Sequence, residues 1–232
     1  MNFAIILAAG DSKRMGGIDK IFYQISQKPL IFYTIRVFEK HPQIQKIILV
    51  AKKSDFKRFF SLIKTYKLKK VSMVVRGGKE RQESAFNGLR AAKNLGVRLG
   101  DLILFHNGAN SLVSSKEISE VIKAAKKYKA ALVGQPARDT IKEITKNRFI
   151  TKTINRKKIF LAQTPQVIEY NLAKKAFEKA QQEKFEGTDD VSLVERLGKK
   201  VKAISCSYKN IKVTTKEDLK IIETLLKNSR RN

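Results

Sequence analysis

At 232 residues and 42% hydrophobic content the chain is long enough for one large domain with a real core, which excludes a disordered chain. Its formal charge of +28, from 49 basic and 21 acidic residues, attracts any polyanion, but the lysines are scattered over helix faces such as "KAAKKYK" and "LAKKAFEKAQQEK" without long like-charge blocks or an aromatic-studded strand, which reads as a solvated surface rather than a nucleic-acid face. Apolar runs such as "IILV" are far shorter than the roughly 20 residues of a membrane span, the N-terminus opens on a strand-like run with no basic-then-apolar leader, and the single cysteine, Cys206, allows no internal disulfide; a cytoplasmic protein without a membrane partner is expected.

In chain order, "NFAIILAAG" reads as a buried strand running into a glycine turn, and "PLIFYTIRVFEKHP" as an amphipathic helix between two prolines. The strand "KIILVA", a helix near 55–65, the strand "VSMVV" and a helix over about 80–94 follow. Then come the strand "DLILFH", a helix near 115–127 and the strand "AALVGQPA". Strands alternating with helices predict right-handed crossovers and a mainly parallel sheet covered on both faces. Such a sheet binds its ligand at the carboxyl ends of the strands. The segment 137–157 breaks the rhythm: "TIKEI" and "FITKTI" alternate like two exposed strands joined around "TKNR". We read it as a β-arm on a single domain spanning 1–232, and an exposed hairpin edge calls for a partner, so a dimer is expected. "TPQVI", a helix over 169–183, a short helix capped by Thr188, the strand "VKAIS", a short "NIKVTT" and a final helix opened by "TTKEDL" complete the chain.

The stretch "LAAGDSKRMGGIDK" (7–20) ends a strand in small residues, which leaves backbone N–H groups uncovered and admits a triphosphate, while Lys13, Arg14 and Lys20 supply charge. It has neither the G-K-S/T of a P-loop nor the G-x-G-x-x-G spacing. The two histidines, His41 and His106, have no metal-ligand spacing to another candidate; His41 reads as a helix-terminal surface residue and His106 as part of a strand-end turn. Cys206, in the β-like "VKAISCSY", reads as a buried thiol and not a nucleophile.

Together with "LAAG", "RMG" and the lysine after them, the segments "RGGKERQESAFNGL" (76–89), "PARDTIKE" (136–143), "TINRKKIFLAQTPQ" (153–166), "TDD" (188–190) and "NIKVTTKEDL" (210–219) occur in an order that resembles the 2-C-methyl-D-erythritol 4-phosphate cytidylyltransferase family over nearly the whole chain. The resemblance implies a three-layer αβα, Rossmann-like nucleotidyltransferase fold with a mainly parallel twisted sheet and a projecting β-arm. It also implies transfer of CMP from CTP to 2-C-methyl-D-erythritol 4-phosphate, a step of non-mevalonate isoprenoid precursor synthesis, with pyrophosphate leaving and Mg²⁺ or another divalent cation as cofactor. In such a transfer the protein positions two anions and neutralises developing charge. Arg14 and Lys20 match the pair that holds the triphosphate, and Lys212 matches a lysine approaching from the opposite side. Ala8, Ala9, Gly10, Gly78, Lys79, Arg81, Ser84 and Gly108 match nucleotide-side positions. Thr140 and Arg156 match arm residues that reach the polyol phosphate in the neighbouring subunit of a homodimer, and Thr164 matches a substrate-side hydroxyl.

One turn departs from the pattern. The family's H-D-A-A-R-P reads "HNGANS" at 106–111, so Asn107 stands at the place of the metal-side aspartate and Asn110 at that of an arginine which binds the polyol phosphate. A neutral amide forgoes charge-assisted hydrogen bonds worth roughly 1.5–3 kcal/mol each. Three readings stay open: the methylerythritol enzyme working with an altered turn, a cytidylyltransferase for another polyol phosphate such as ribitol 5-phosphate, and a CTP-binding protein that has lost turnover.

Overall fold

A computed structural model describes residues 1–12 and 15–228, so Lys13 and Arg14 lie outside the described residues. The first half contains β1 (Asn2–Leu7), the short strands β2 (Gln24–Ile25) and β3 (Lys28–Pro29), α1 (Leu30–Lys40), β4 (Lys46–Ala51), α2 (Phe56–Thr65), β5 (Val71–Arg76), α3 (Arg81–Asn94) and β6 (Leu102–Asn107). The second half adds α4 (Ser115–Tyr128), β7 (Ala130–Pro136), β8 (Ile141–Ile144), β9 (Ile150–Ile154), β10 (Phe160–Glu169), α5 (Tyr170–Gln182), α6 (Ser192–Arg196), β11 (Lys202–Ser205) and α7 (Lys216–Asn228).

Seven strands form one sheet in the order β11-β7-β10-β6-β1-β4-β5. All neighbours run parallel except β10, which is antiparallel to both β6 and β7. Alternation along the strands builds two apolar layers. Ala4 and Ile6 of β1 face a core formed with α1, α2, α4 and α7, whereas Phe3, Ile5 and Leu7 face a second core formed with α3, α5 and α6. Because both faces are covered, the central strands are continuous apolar runs.

Local chemistry sets the helix ends. Pro29 precedes α1 with φ −65°, a conformation its ring already imposes. Ser114 and Glu117 form a reciprocal capping box at the start of α4: Glu117 N donates to Ser114 Oγ at 3.2 Å and Ser114 N donates to Glu117 Oε2 at 2.7 Å. The expected arm is present, with β8 paired antiparallel to β9 in a separate two-stranded sheet. Its side chains Ile144, Phe149 and Ile150 are 52%, 73% and 64% exposed. No helix among the described residues is long and apolar enough to cross a membrane.

"TPQVI" lies within a ten-residue antiparallel strand, β10. Three local expectations change. "NIKVTT" forms no strand. Thr188 does not cap the short helix, which begins at Ser192 with Ser192 N donating to Asp189 Oδ1 at 2.9 Å. His41 is not a surface residue: it is 1% exposed, and its Nε2 lies 3.1 Å from Ser115 O and 3.0 Å from Ser119 Oγ. Those polar partners on α4 make burial of the ring affordable.

Gly88 sets how closely α3 approaches the sheet. A Cβ there would lie 2.4 Å from Ile5 Cγ2 in β1 and 3.0 Å from Val50 Cγ2 in β4. Gly88→Val is therefore expected to destabilise the fold by about 1–3 kcal/mol through overpacking. Urea unfolding followed by circular dichroism reads this directly, and an unchanged midpoint would show that α3 can lift off without cost.

Candidate active site

A cavity of about 410 Å³ opens at the carboxyl ends of the central strands, the place an open α/β sheet reserves for its ligand. Three loops and one lysine pair build it. After β1 the chain keeps to its neighbour for one more residue, with Ala8 N donating to Val50 O at 2.7 Å, and Ala8, Ala9 and Gly10 then line one wall. After β5 the chain turns in through Gly77, whose added Cβ would lie 2.4 Å from Ala9 Cβ. Only glycine permits that approach. The same turn puts Gly78, Lys79, Arg81 and Ser84 on the wall, with Gly78 N donating to Ser84 Oγ at 3.0 Å and Lys79 N to Glu83 Oε2 at 2.7 Å. After β6, Asn107 and Ala109 line the floor. Gly108 lies beneath them: its N donates to Leu7 O at 2.8 Å, its O accepts from Thr34 Oγ1 at 2.8 Å, and a Cβ would sit 2.8 Å from Ile31 Cδ1.

Lys20 and Lys212 come together on this cavity from segments far apart in sequence. Lys20 Nζ donates to Val213 O at 3.1 Å, and Val213 N donates to Ala109 O at 3.0 Å, so the backbone of Val213 links both lysines to the floor.

Arg81 holds the polar corner. Its guanidinium makes a two-pronged contact with Asp190, at 3.0 and 2.7 Å, while its Nε donates to Asn107 Oδ1 at 3.3 Å. Burial opposes the Arg81 cation, but the charge and hydrogen bonds of Asp190, with a contribution from Asp189, outweigh it and raise the guanidinium's pKa. Asp190 is 1% exposed, and its N donates to Gln166 Oε1 at 2.9 Å.

The turn after β6 is closed by amides. Asn107 N donates to Thr164 Oγ1 at 3.2 Å, and Asn107 Nδ2 to Asn110 Oδ1 at 3.3 Å. Asn110 is 1% exposed and faces Asn210, not the cavity. Thr164 is 3% exposed, behind Asn107. Asn110 and Thr164, expected on the substrate side, do not line this cavity, and each contacts Asn107. Thr140 and Arg156 stand exposed on and beside the arm, Arg156 donating to Arg138 O, and they do not line this cavity. Arg14, the triphosphate candidate, lies outside the described residues. Cys206 is no nucleophile candidate, since burial pushes its thiol up to about 11.

Sequence reasoning missed Asp190 as the partner of Arg81 and Asn210 as the partner of Asn110. Both lay inside quoted motifs, but the pairs span 109 and 100 residues, which no local spacing reveals. Among the described residues no group of three or more His, Cys, Asp or Glu could hold a metal ion.

The family model for 2-C-methyl-D-erythritol 4-phosphate cytidylyltransferase matches residues 2–228. A protein of that name from Dehalococcoides mccartyi is 40% identical over 227 residues, covering 98% of this chain and 96% of its own. One from Clostridium tetani is 41% identical over 227 residues, with 97% and 90% covered. Among solved structures, 4-diphosphocytidyl-2C-methyl-D-erythritol synthase from Anaerococcus prevotii superposes with a TM-score of 0.83 at 28% identity, covering 97% of this chain and 96% of that one. The Francisella tularensis cytidylyltransferase gives 0.80 at 30% identity, with 95% and 97% covered.

The buried histidine beneath the turn gives the site a pH signature. His106 is 0% exposed, its Nε2 meets Asn110 O at 2.9 Å, and Nδ1 has no hydrogen-bond partner among the described residues. Burial, reinforced by the Arg81 charge, lowers its pKa from 6.5 to about 4. The folded value lies below the unfolded one, so the contribution is whole above pH 6.5 and is lost as the pH falls toward 4. The loss attributable to His106 between about pH 7 and about pH 4.5 is expected to be about 2–3 kcal/mol. His41, also lowered by burial, adds in the same direction. Urea titrations at both pH values, wild type against His106→Gln, isolate the His106 share; an equal slope in the two proteins would refute it.

Proposed function

Because the chain belongs to the 2-C-methyl-D-erythritol 4-phosphate cytidylyltransferase family, we propose that the cavity at the carboxyl ends of β1, β5 and β6 is where it joins CMP from CTP to 2-C-methyl-D-erythritol 4-phosphate. The observation that carries this placement is the convergence of Lys20 and Lys212 on a cavity walled by the small residues 8–10 and the Gly78 turn.

In the transfer, a phosphate oxygen of the polyol phosphate attacks the α-phosphorus of CTP, that phosphorus passes through a five-coordinate arrangement, and the bond to the leaving pyrophosphate breaks. Little is asked of the protein beyond placement and charge. Lys20 and Lys212 neutralise the triphosphate from two sides, and Arg14, by its place in the "RMG" motif, completes the cationic set. Gly78, Lys79 and Ser84 form the slot for cytosine and ribose, narrow because Gly77 lies against Ala9. Arg81, committed to Asp190, orients Asn107.

Among the described residues no cluster of His, Cys, Asp or Glu could cage a metal, so a Mg²⁺ ion would be held mainly through the substrate phosphates, as that ion commonly is, and would offset their charge, with Asn107 at the position of the family's metal-side aspartate. The arm supports a homodimer: its exposed Phe149 and Ile150 and the unpaired edges of β8 and β9 need a cover. In that assembly Thr140 and Arg156 serve the neighbouring subunit's polyol phosphate. A cytoplasmic setting accords with a lone reduced thiol at Cys206.

The purified protein is expected to release pyrophosphate from CTP and Mg²⁺ only when 2-C-methyl-D-erythritol 4-phosphate is added. Lys20→Ala should lower kcat by roughly 10²-fold or more, the usual loss when a group aimed at transition-state charge is removed. Equal release without the acceptor, or full activity in Lys20→Ala, would sink the assignment. The shared site has its own test. Mixing Lys20→Ala with Arg156→Ala subunits should recover about a quarter of wild-type activity, because half of randomly paired dimers are mixed and each mixed dimer holds one intact site; no recovery would place Arg156 outside the partner's site.

A further inference from the structure

The amides around Asn107 run in one direction. Asn210 Nδ2 donates to Thr164 O at 2.9 Å, which fixes how that amide faces. The carbonyl and side-chain oxygens of Asn210 then accept from Asn110 Nδ2 at 3.2 and 3.4 Å. Asn110 Oδ1 accepts from Asn107 Nδ2 at 3.3 Å, and Asn107 Oδ1 accepts from Arg81 Nε at 3.3 Å. An amide has a donor end and an acceptor end, so turning any member over sets like ends face to face. Asn110 and Asn210 are 1% and 0% exposed, which leaves water no room to repair a reversed link. The backbone of Asn110 is pinned as well, its O by His106 Nε2 at 2.9 Å and its N by Asn107 O at 3.0 Å.

We propose that Asn110 and Asn210 are positioning residues for the transfer, a polarised amide chain that presents Asn107 Oδ1 toward Arg81 and the cavity, and that residues 107 and 110 form a matched pair. The inference rests on the cavity being the transfer site argued above. Asn110 does not touch substrate; it dictates that residue 107 must offer a donor on its inner side. An aspartate at 107 offers only acceptors. One of its oxygens would suit Arg81, but the other would meet Asn110 Oδ1 across the 3.3 Å now spanned by a hydrogen bond. Asn110 cannot turn to relieve this, because its Nδ2 is held by Asn210. The asparagine at 107 is therefore the residue this surrounding requires, and the family's aspartate would be the misfit.

A double-mutant cycle of Asn107→Asp, Asn110→Ala and the pair tests this, read as kcat/KM for 2-C-methyl-D-erythritol 4-phosphate at saturating CTP and, independently, as the urea midpoint. Asn107→Asp should cost roughly tenfold more activity when Asn110 is present than when it is alanine, with the KM for CTP changing far less, and should lower the midpoint more in the native background. The split between substrates separates positioning of Asn107 from a general loss of packing. Equal effects in both backgrounds by both readings, or a gain in kcat/KM for Asn107→Asp alone, would overturn the proposal. Should the wild type release no pyrophosphate, the assigned reaction fails, while the unfolding cycle still decides the pairing.

Discussion

A carboxylate 1% exposed has to be met by a cation, and the contact between Asp190 and Arg81 is the constraint on which the site's order depends. It reaches across the second core layer, tying the first turn of α3 to the loop before α6. Gln166 extends the same knot into β10, its Oε1 accepting from Asp190 N and Val191 N and its Nε2 donating to Asp189 Oδ2 at 2.7 Å. Such a pair is weak as a source of net stability, since desolvating two charges offsets most of their attraction. Its value is positional. With both prongs of the guanidinium spent on Asp190, only Nε remains directed at Asn107, which removes the freedom Arg81 would otherwise have to follow a phosphate.

The remaining cations are deployed differently. Lys20 and Lys212 sit on flexible stems at the cavity, and a compact ammonium suits a phosphate whose charge shifts during the reaction. They are linked through the backbone of Val213, so displacement of one loop is felt by the other. Around them the +28 net charge attracts anions at longer range.

Much of this was legible in the residues themselves. Continuous apolar runs announced the buried strands, the alternating polar stretch 137–157 announced the arm, and the small residues after β1 do line a cavity at the sheet's carboxyl edge. Strand direction was less legible for "TPQVI", because a reversed strand buries the same alternate side chains and nothing in its pattern records which way it runs. His41 read as surface because its partners, Ser115 O and Ser119 Oγ, are supplied by a helix more than seventy residues later. "NIKVTT" has strand-like composition, yet Asn210, Val213 and Thr214 bond to Asn110, Thr164, Ala109, Lys20 and Asp218 rather than to a neighbouring strand's ladder. The partners of Arg81 and Asn110 escaped for the same reason: tertiary pairing at a distance leaves no trace in local spacing.

The altered turn after β6 can be weighed in charge as well as in hydrogen bonds. Asp190 and Arg81 largely cancel, so the charge of the cavity comes from Asp11, Lys20, Lys79, Glu80, Lys212 and whatever occupies position 107. A carboxylate there would attract a divalent cation but repel the incoming triphosphate and polyol phosphate, whereas a neutral amide keeps an oxygen for the cation and removes the repulsion. What is given up in metal attraction is offset in part by easier entry of the two anions. The asparagine at 110 closes the amide chain with donors and acceptors matched at every link. The turn as it stands leaves both Lys20 and Lys212 lining the cavity.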